Sequence, residues 1–135
     1  MTQSKQLLGL DVGAARIGVA LGDTGVRIAV PNGFIEVDGS EIKQIAELVI
    51  LNNVKTIVVG YPRNQAGEPT AQTAFVEDFA ERLSDLDATV VFQDESLTSV
   101  MAEKRLSDRG VAYQKGDIDS EAAAIILQDY MEQRL

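Results

Sequence analysis

The segment Lys55-Thr56-Ile57-Val58-Val59-Gly60 does most to limit what this chain can become. Its apolar residues fall on both faces of an extended strand, as expected for a parallel strand covered by helices on both sides. Such a strand needs parallel neighbours reached through helical crossovers. The flanking sequence supplies them. Gln6 to Gly13 reads as a central strand that ends at a tight turn, and Ala88 to Phe92 reads as another strand. Between 40 and 50, Ser40 is placed to cap a helix whose apolar residues Ile42, Ile45, Ala46, Val49 and Ile50 share one face. After the turn-rich loop Tyr61 to Pro69, a second helix carries Ala71, Phe75, Phe79 and Leu83 along one side.

The remaining segments complete one domain spanning 1–135. Arg16 to Gly22 is expected to form a second strand, and Asp23-Thr24-Gly25 a turn. A third strand is expected over Val26 to Val30, resuming around Phe34 to Val37. Beyond Gln93-Asp94-Glu95, a helix from Leu97 or Thr98 to Ser107 stops at Asp108-Arg109-Gly110, and a last helix runs from about Ile118 towards Glu132. The order βββαβαβα predicts an α/β fold with right-handed crossovers, in which the strands near 7, 57 and 90 lie parallel and adjacent.

The chemistry available to this scaffold is narrow. With no Cys and no His among 135 residues, thiolate nucleophiles, catalytic triads and zinc clusters are excluded, so any metal must be held by oxygen. Carboxylates of that kind suit Mg²⁺ or Mn²⁺. The net charge of −9 argues against a general nucleic-acid coating role, which depends on Lys and Arg. The polar start Met1 to Gln6 and the lack of a long apolar run predict a cytoplasmic protein without a membrane partner.

In open α/β sheets ligands gather beyond the carboxyl ends of the strands, and two strands here end in acids, at Asp11 and Glu95. Asp11 interrupts an apolar strand two residues before Gly13, where Asp has poor β propensity. Glu95 lacks the local backbone-bonding habit that makes Asp routine at turns. Asp119 has Ala122, Ala123, Ile126 and Tyr130 as helical neighbours, which puts it on the side that faces the sheet, whereas Asp117 and Glu121 are expected in solvent. If the three converge, their mutual repulsion calls for a bound cation, and the matching chemistry is metal-assisted phosphodiester hydrolysis.

Several motifs in combination, Leu10-Asp11-Val12-Gly13, Arg16-Ile17-Gly18-Val19-Ala20, Val59-Gly60-Tyr61-Pro62, Asp94-Glu95 and Asp119-Ser120 followed by Ala122 to Leu127, resemble the YqgF or RuvX-like family from about Leu7 to Tyr130. That family comprises Holliday-junction resolvases and pre-16S rRNA nucleases. The resemblance implies an RNase H-like fold, a mixed five-stranded sheet with helices on both faces. It also places Asp11, Glu95 and Asp119 at the family's acidic triad, with two divalent ions. Arg16, Arg63, Asn64 and Lys115 fall in or beside loops expected at the same rim, where they would position phosphates. Lys104, Arg105 and Arg109 alternate with acids and read as solvated surface. Ser96 stands where the family usually has Arg, Met101 replaces a frequent Glu, and only Lys115 is basic in a stretch that is often richer in charge. These differences reduce the number of phosphate contacts.

The expected partner is structured RNA, with rRNA precursor ahead of branched DNA, and the expected state a monomer or weak homodimer. Two other classes compete: an interaction module that keeps the fold without the chemistry, and a nucleotide-binding relative of actin and sugar kinases. The chain's length counts against the second, because those proteins clasp nucleotide between two such domains.

Overall fold

The computed structural model describes residues 4–62, 70–95 and 98–135. Along the chain lie β1 (Gln6–Val12), β2 (Arg16–Asp23), β3 (Val30–Glu36), α1 (Glu41–Leu51), β4 (Val54–Pro62), α2 (Ala71–Arg82), β5 (Thr89–Glu95), α3 (Thr98–Asp108) and α4 (Lys115–Arg134). The strands form one five-stranded sheet in the order β3-β2-β1-β4-β5. β1, β4 and β5 run parallel, while β1, β2 and β3 form an antiparallel meander, so the sheet is mixed as expected.

The alternation of side chains along the strands divides the interior into two layers. On one face, Leu8, Leu10, Val12, Ile17, Val19, Ile57 and Val59 meet Ile45 and Val49 of α1 and Val76 and Phe79 of α2. On the other, Leu7, Ala20 and Val58 meet Ala123, Ile126, Leu127 and Met131 of α4. α4 is buried all round from Ser120 to Leu127, because α3 covers its far side through Ala102 against Ala122 and Ile125. This explains why 4 of its residues read as a sheet-facing stripe although the helix has no solvent face there. Among the described residues, no helix is long and apolar enough to cross a membrane.

The boundaries differ from expectation in ways that local chemistry explains. The third strand begins at Val30, not at Val26, because the Asp23 carboxylate accepts from the Gly25 and Val26 amides and Arg27 turns with φ 61°. Val26 and Ile28 are left exposed. Ser40 does occupy the N-cap of α1, but its hydroxyl donates to Asp38 Oδ1 at 2.5 Å instead of capping, and the Gly39 amide donates to Glu41 at 2.7 Å. On α2 the buried face is Thr73, Val76, Phe79, Ala80 and Leu83, leaving Ala71 and Phe75 exposed, since residues spaced by four drift around a helix with 3.6 residues per turn. α4 starts three residues before Ile118, where Asp117 and Gln114 form a reciprocal cap.

Glu121 corrects the largest expectation. It is 2% exposed, and its carboxylate accepts two bonds from Arg109, at 2.7 and 3.2 Å, with Arg105 3.8 Å away. Arg105 and Arg109 therefore tie the end of α3 to α4, and of the basic cluster only Lys104, paired with Asp108, lies on a fully solvated surface. Replacing one partner of such a pair strands a buried charge. Arg109→Ala is expected to cost about 2 to 4 kcal/mol in urea unfolding, and under about 1 kcal/mol in a Glu121→Gln background. Equal costs in the two backgrounds would refute the coupling.

Candidate active site

The site is built from two missing side chains. In the β1–β2 register Asp11 lies opposite Gly18, and directly opposed residues of an antiparallel pair project to the same face. That face is the one on which α4 lies. A Cβ at Gly18 would fall inside the backbone carbonyl of Asp119, so glycine there lets the first turns of α4 rest on the sheet beside Asp11. On the other flank of Asp11, Gly60 follows Val59, the β4 partner of Leu10. A Cβ at Gly60 would come within 3.0 Å of Glu95 Oε1 and 2.6 Å of Ile126 Cδ1. The Glu95 carboxylate thus reaches back across β4 towards Asp11. Ser120 fixes the adjoining turn of α4, its hydroxyl donating to Val19 O at 3.1 Å and accepting from the Gly33 amide at 3.0 Å.

The electrostatics follow from this crowding. Burial pushes the Asp11 carboxyl up from 3.8 to about 7, and the negative charges of Glu95 and then Asp119 push in the same direction. The Glu95 carboxyl is likewise raised by burial, opposed by the Thr98 hydroxyl, which donates to its Oε2 at 2.7 Å. Asp119 is partnered differently. Arg16 Nε donates to its Oδ2 at 2.6 Å, with the two side chains 34% and 22% exposed.

Asp11 thus lies within reach of the charges of both Glu95 and Asp119. Among the described residues no group of three acids is arranged to hold a metal ion. The donor chemistry nevertheless fits a hard divalent cation: the donors are all carboxylate oxygen, and one acid is desolvated and repelled by both others.

Of the residues expected to position phosphates, Arg16 is at this site through its ion pair with Asp119, and Lys115 is exposed at the start of α4, one turn before Asp119. Arg63, Asn64 and the departure at Ser96 lie outside the described residues. From sequence, Gly60 and Ser120 stand in family motifs without an assigned part in the site, and Thr98 is only a candidate start of a helix. Gly60 carried a usable signal, being the one residue without a side chain in a run of buried β-branched positions.

Comparison with known proteins bears on this arrangement. The family model described as "RuvX: Holliday junction resolvase" matches residues 5–133. A Chloroflexus aggregans protein named "Putative pre-16S rRNA nuclease" is 46% identical over 133 residues, covering 95% of this chain and 94% of its own length. A Synechocystis protein of the same name is 40% identical over 143 residues, covering 99% and 91%. Among solved structures, Thermus thermophilus RuvC in complex with a Holliday junction substrate superposes with a TM-score of 0.60 at 13% identity, over 96% of this chain and 95% of that one. The fowlpox virus resolvase in complex with Holliday junction DNA gives 0.57 at 10% identity, over 96% and 99%. At such low identity these two establish the RNase H-like fold and nothing finer. With a family model spanning nearly every residue and relatives matched along almost their full length, the chain belongs to the RuvX family.

Proposed function

We propose that this protein is a divalent-metal-dependent nuclease that hydrolyses phosphodiester bonds in structured nucleic acid at Asp11, Glu95 and Asp119, with the 5′ end of pre-16S rRNA as its substrate. The observation that carries the reading is the position of Asp11: a desolvated carboxylate at a strand end, flanked by two glycines that admit Asp119 on one side and Glu95 on the other. A structural acid gains nothing from such repulsion, whereas a cation site uses it. The names of the curated relatives support the RNA substrate.

Mg²⁺ or Mn²⁺, with two ions by analogy to the family, supplies when bound the Lewis acidity that activates water and offsets charge on the phosphate. The chain's own residues do the rest. Asp11 would be the central ligand, with Glu95 and Asp119 completing the set. Thr98 holds the Glu95 carboxylate in place through Oε2, and the Ser120 bonds to β2 and β3 fix the helical turn that carries Asp119. Arg16 and Lys115 orient phosphates at the rim without reading base sequence, a role that the sequence also offers to Arg63 and Asn64. With so few basic residues and a net charge of −9, affinity rests on few phosphate contacts, and a shallow salt dependence of binding is expected.

Branched DNA is the second reading, favoured by the family description and by the substrate in the RuvC complex. Assaying an rRNA precursor and a four-way junction side by side, in Mg²⁺ and in Mn²⁺, separates the two. Glu95→Gln and Asp119→Asn are each expected to lower the cleavage rate on the true substrate at least about a hundredfold. Full activity in either variant would remove that residue from the site. Absence of cleavage of both substrates by the wild type, with nucleic-acid binding retained, would favour an interaction module.

A further inference from the structure

Arg16 makes a contact that phosphate positioning alone does not explain. Its Nε donates to Asp119 Oδ2 at 2.6 Å, a charge-assisted bond between a residue at the start of β2 and one in the second turn of α4. The bond spans 103 positions of sequence, and both partners keep a path to solvent. We propose that Arg16 is a displaceable counter-ion: its guanidinium competes with a divalent cation for Asp119 and, once displaced, becomes available to a phosphate of the substrate. The inference rests on the reading of Asp119 as a cation ligand.

The physical basis is charge. Asp119 Oδ2 already serves one positive group, and a second of charge +2 at the same carboxylate repels the first. Cation binding therefore favours states in which the guanidinium has left. Arg16 has somewhere to go, since about a third of its side chain is in water and its planar fork matches phosphate as well as carboxylate. This bond places the positive charge on Asp119 and not on Asp11 or Glu95, since Arg16 Nε donates to Asp119 Oδ2. The exchange couples the two ligands. Cation binding releases the arginine for nucleic acid, and nucleic acid that captures the arginine makes cation binding tighter, by the same factor in each direction.

Calorimetric titration of the whole protein with Mn²⁺ alone tests this. Arg16→Gln is expected to tighten Mn²⁺ binding about five- to tenfold, Arg16→Lys to leave it within about twofold, and Asp119→Asn to weaken it. In the Asp119→Asn background, Arg16→Gln is expected to have no further effect. In the wild type, the Arg16 Nε–H resonance followed by NMR should move on adding Mg²⁺ from a bonded to a solvent-exposed position, a readout that needs no variant. If Arg16→Gln binds Mn²⁺ no more tightly than the wild type, or the Nε–H resonance is unmoved at saturating Mg²⁺, the counter-ion role is overturned while the cation site stands. If the wild type shows no saturable Mn²⁺ binding, the site itself is overturned, and the counter-ion with it.

Discussion

Asp11→Asn is expected to abolish cleavage, lowering it by at least about a thousandfold, while making the folded protein more stable in metal-free buffer at neutral pH. The two effects share one cause. A carboxyl raised from 3.8 to about 7 on folding binds its proton more tightly in the native state than in the unfolded chain. Between those values the native state holds more protons, so stability falls as pH rises through that window. Below about pH 4 both states are protonated and the penalty vanishes; above pH 7 it is complete. A displacement of this size corresponds to at most about 4 kcal/mol, and water at the strand end reduces it, so a gain of about 1 to 3 kcal/mol is expected for the asparagine variant at pH 8. Glu95, raised by burial, contributes in the same direction. Chemical denaturation at pH 5 and pH 8 with EDTA checks this. The wild type should lose stability between the two pH values, and Asp11→Asn should lose markedly less. Saturating Mn²⁺ should restore the wild type, because a ligand bound only by the folded state stabilises it. An asparagine variant less stable than the wild type at pH 8 would mean that Asp11 is a structural residue.

Among the described glycines, Gly18→Ala should be the most damaging addition of a methyl group. Its Cβ would overlap the carbonyl of Asp119, and backbone cannot swing aside as the end of a flexible side chain can. To admit it, α4 must lift from β2, which breaks the Ser120 bonds to Val19 and Gly33 and opens the layer formed by Ala20, Ala123 and Leu127. A loss of at least about 3 kcal/mol in urea unfolding is expected, with cleavage lost in whatever remains folded. Gly33, where φ is 81° and an added Cβ would meet nothing within 4 Å, is the contrasting case. There alanine should cost only about 1 kcal/mol, from backbone strain alone. Similar costs at the two positions would show that close approach of α4 does not build the site.

The scaffold was legible because its signals are local. Lys55 to Gly60 carries apolar residues on both faces because helices lie on both sides, and the helix over 41–51 buries Ile45 and Val49 at helical spacing, although Ile50, read on the same face, is exposed. The carboxylates were legible because Asp11 breaks an apolar strand and Glu95 ends another. Long-range contacts were much less so. Glu121 reads as a solvated acid in any helical projection, and only the folding of α3 over α4 turns it into a buried ion-pair partner of Arg109. The Arg16–Asp119 pair joins residues 103 apart and leaves no trace in spacing. The missed start of β3 belongs to turn chemistry, where the Asp23 carboxylate captured two amides that a strand would have used.

Where a hard cation binds decides most directly whether these acids form a hydrolytic centre. Crystals soaked in Mn²⁺ and measured at the manganese edge should show an anomalous peak in contact with the Asp11 carboxylate and with Glu95 or Asp119, and Asp11→Asn crystals treated identically should lose it. Manganese bound only elsewhere, or an unchanged peak in the Asp11→Asn crystals, would contradict the assignment of these acids as the hydrolytic centre.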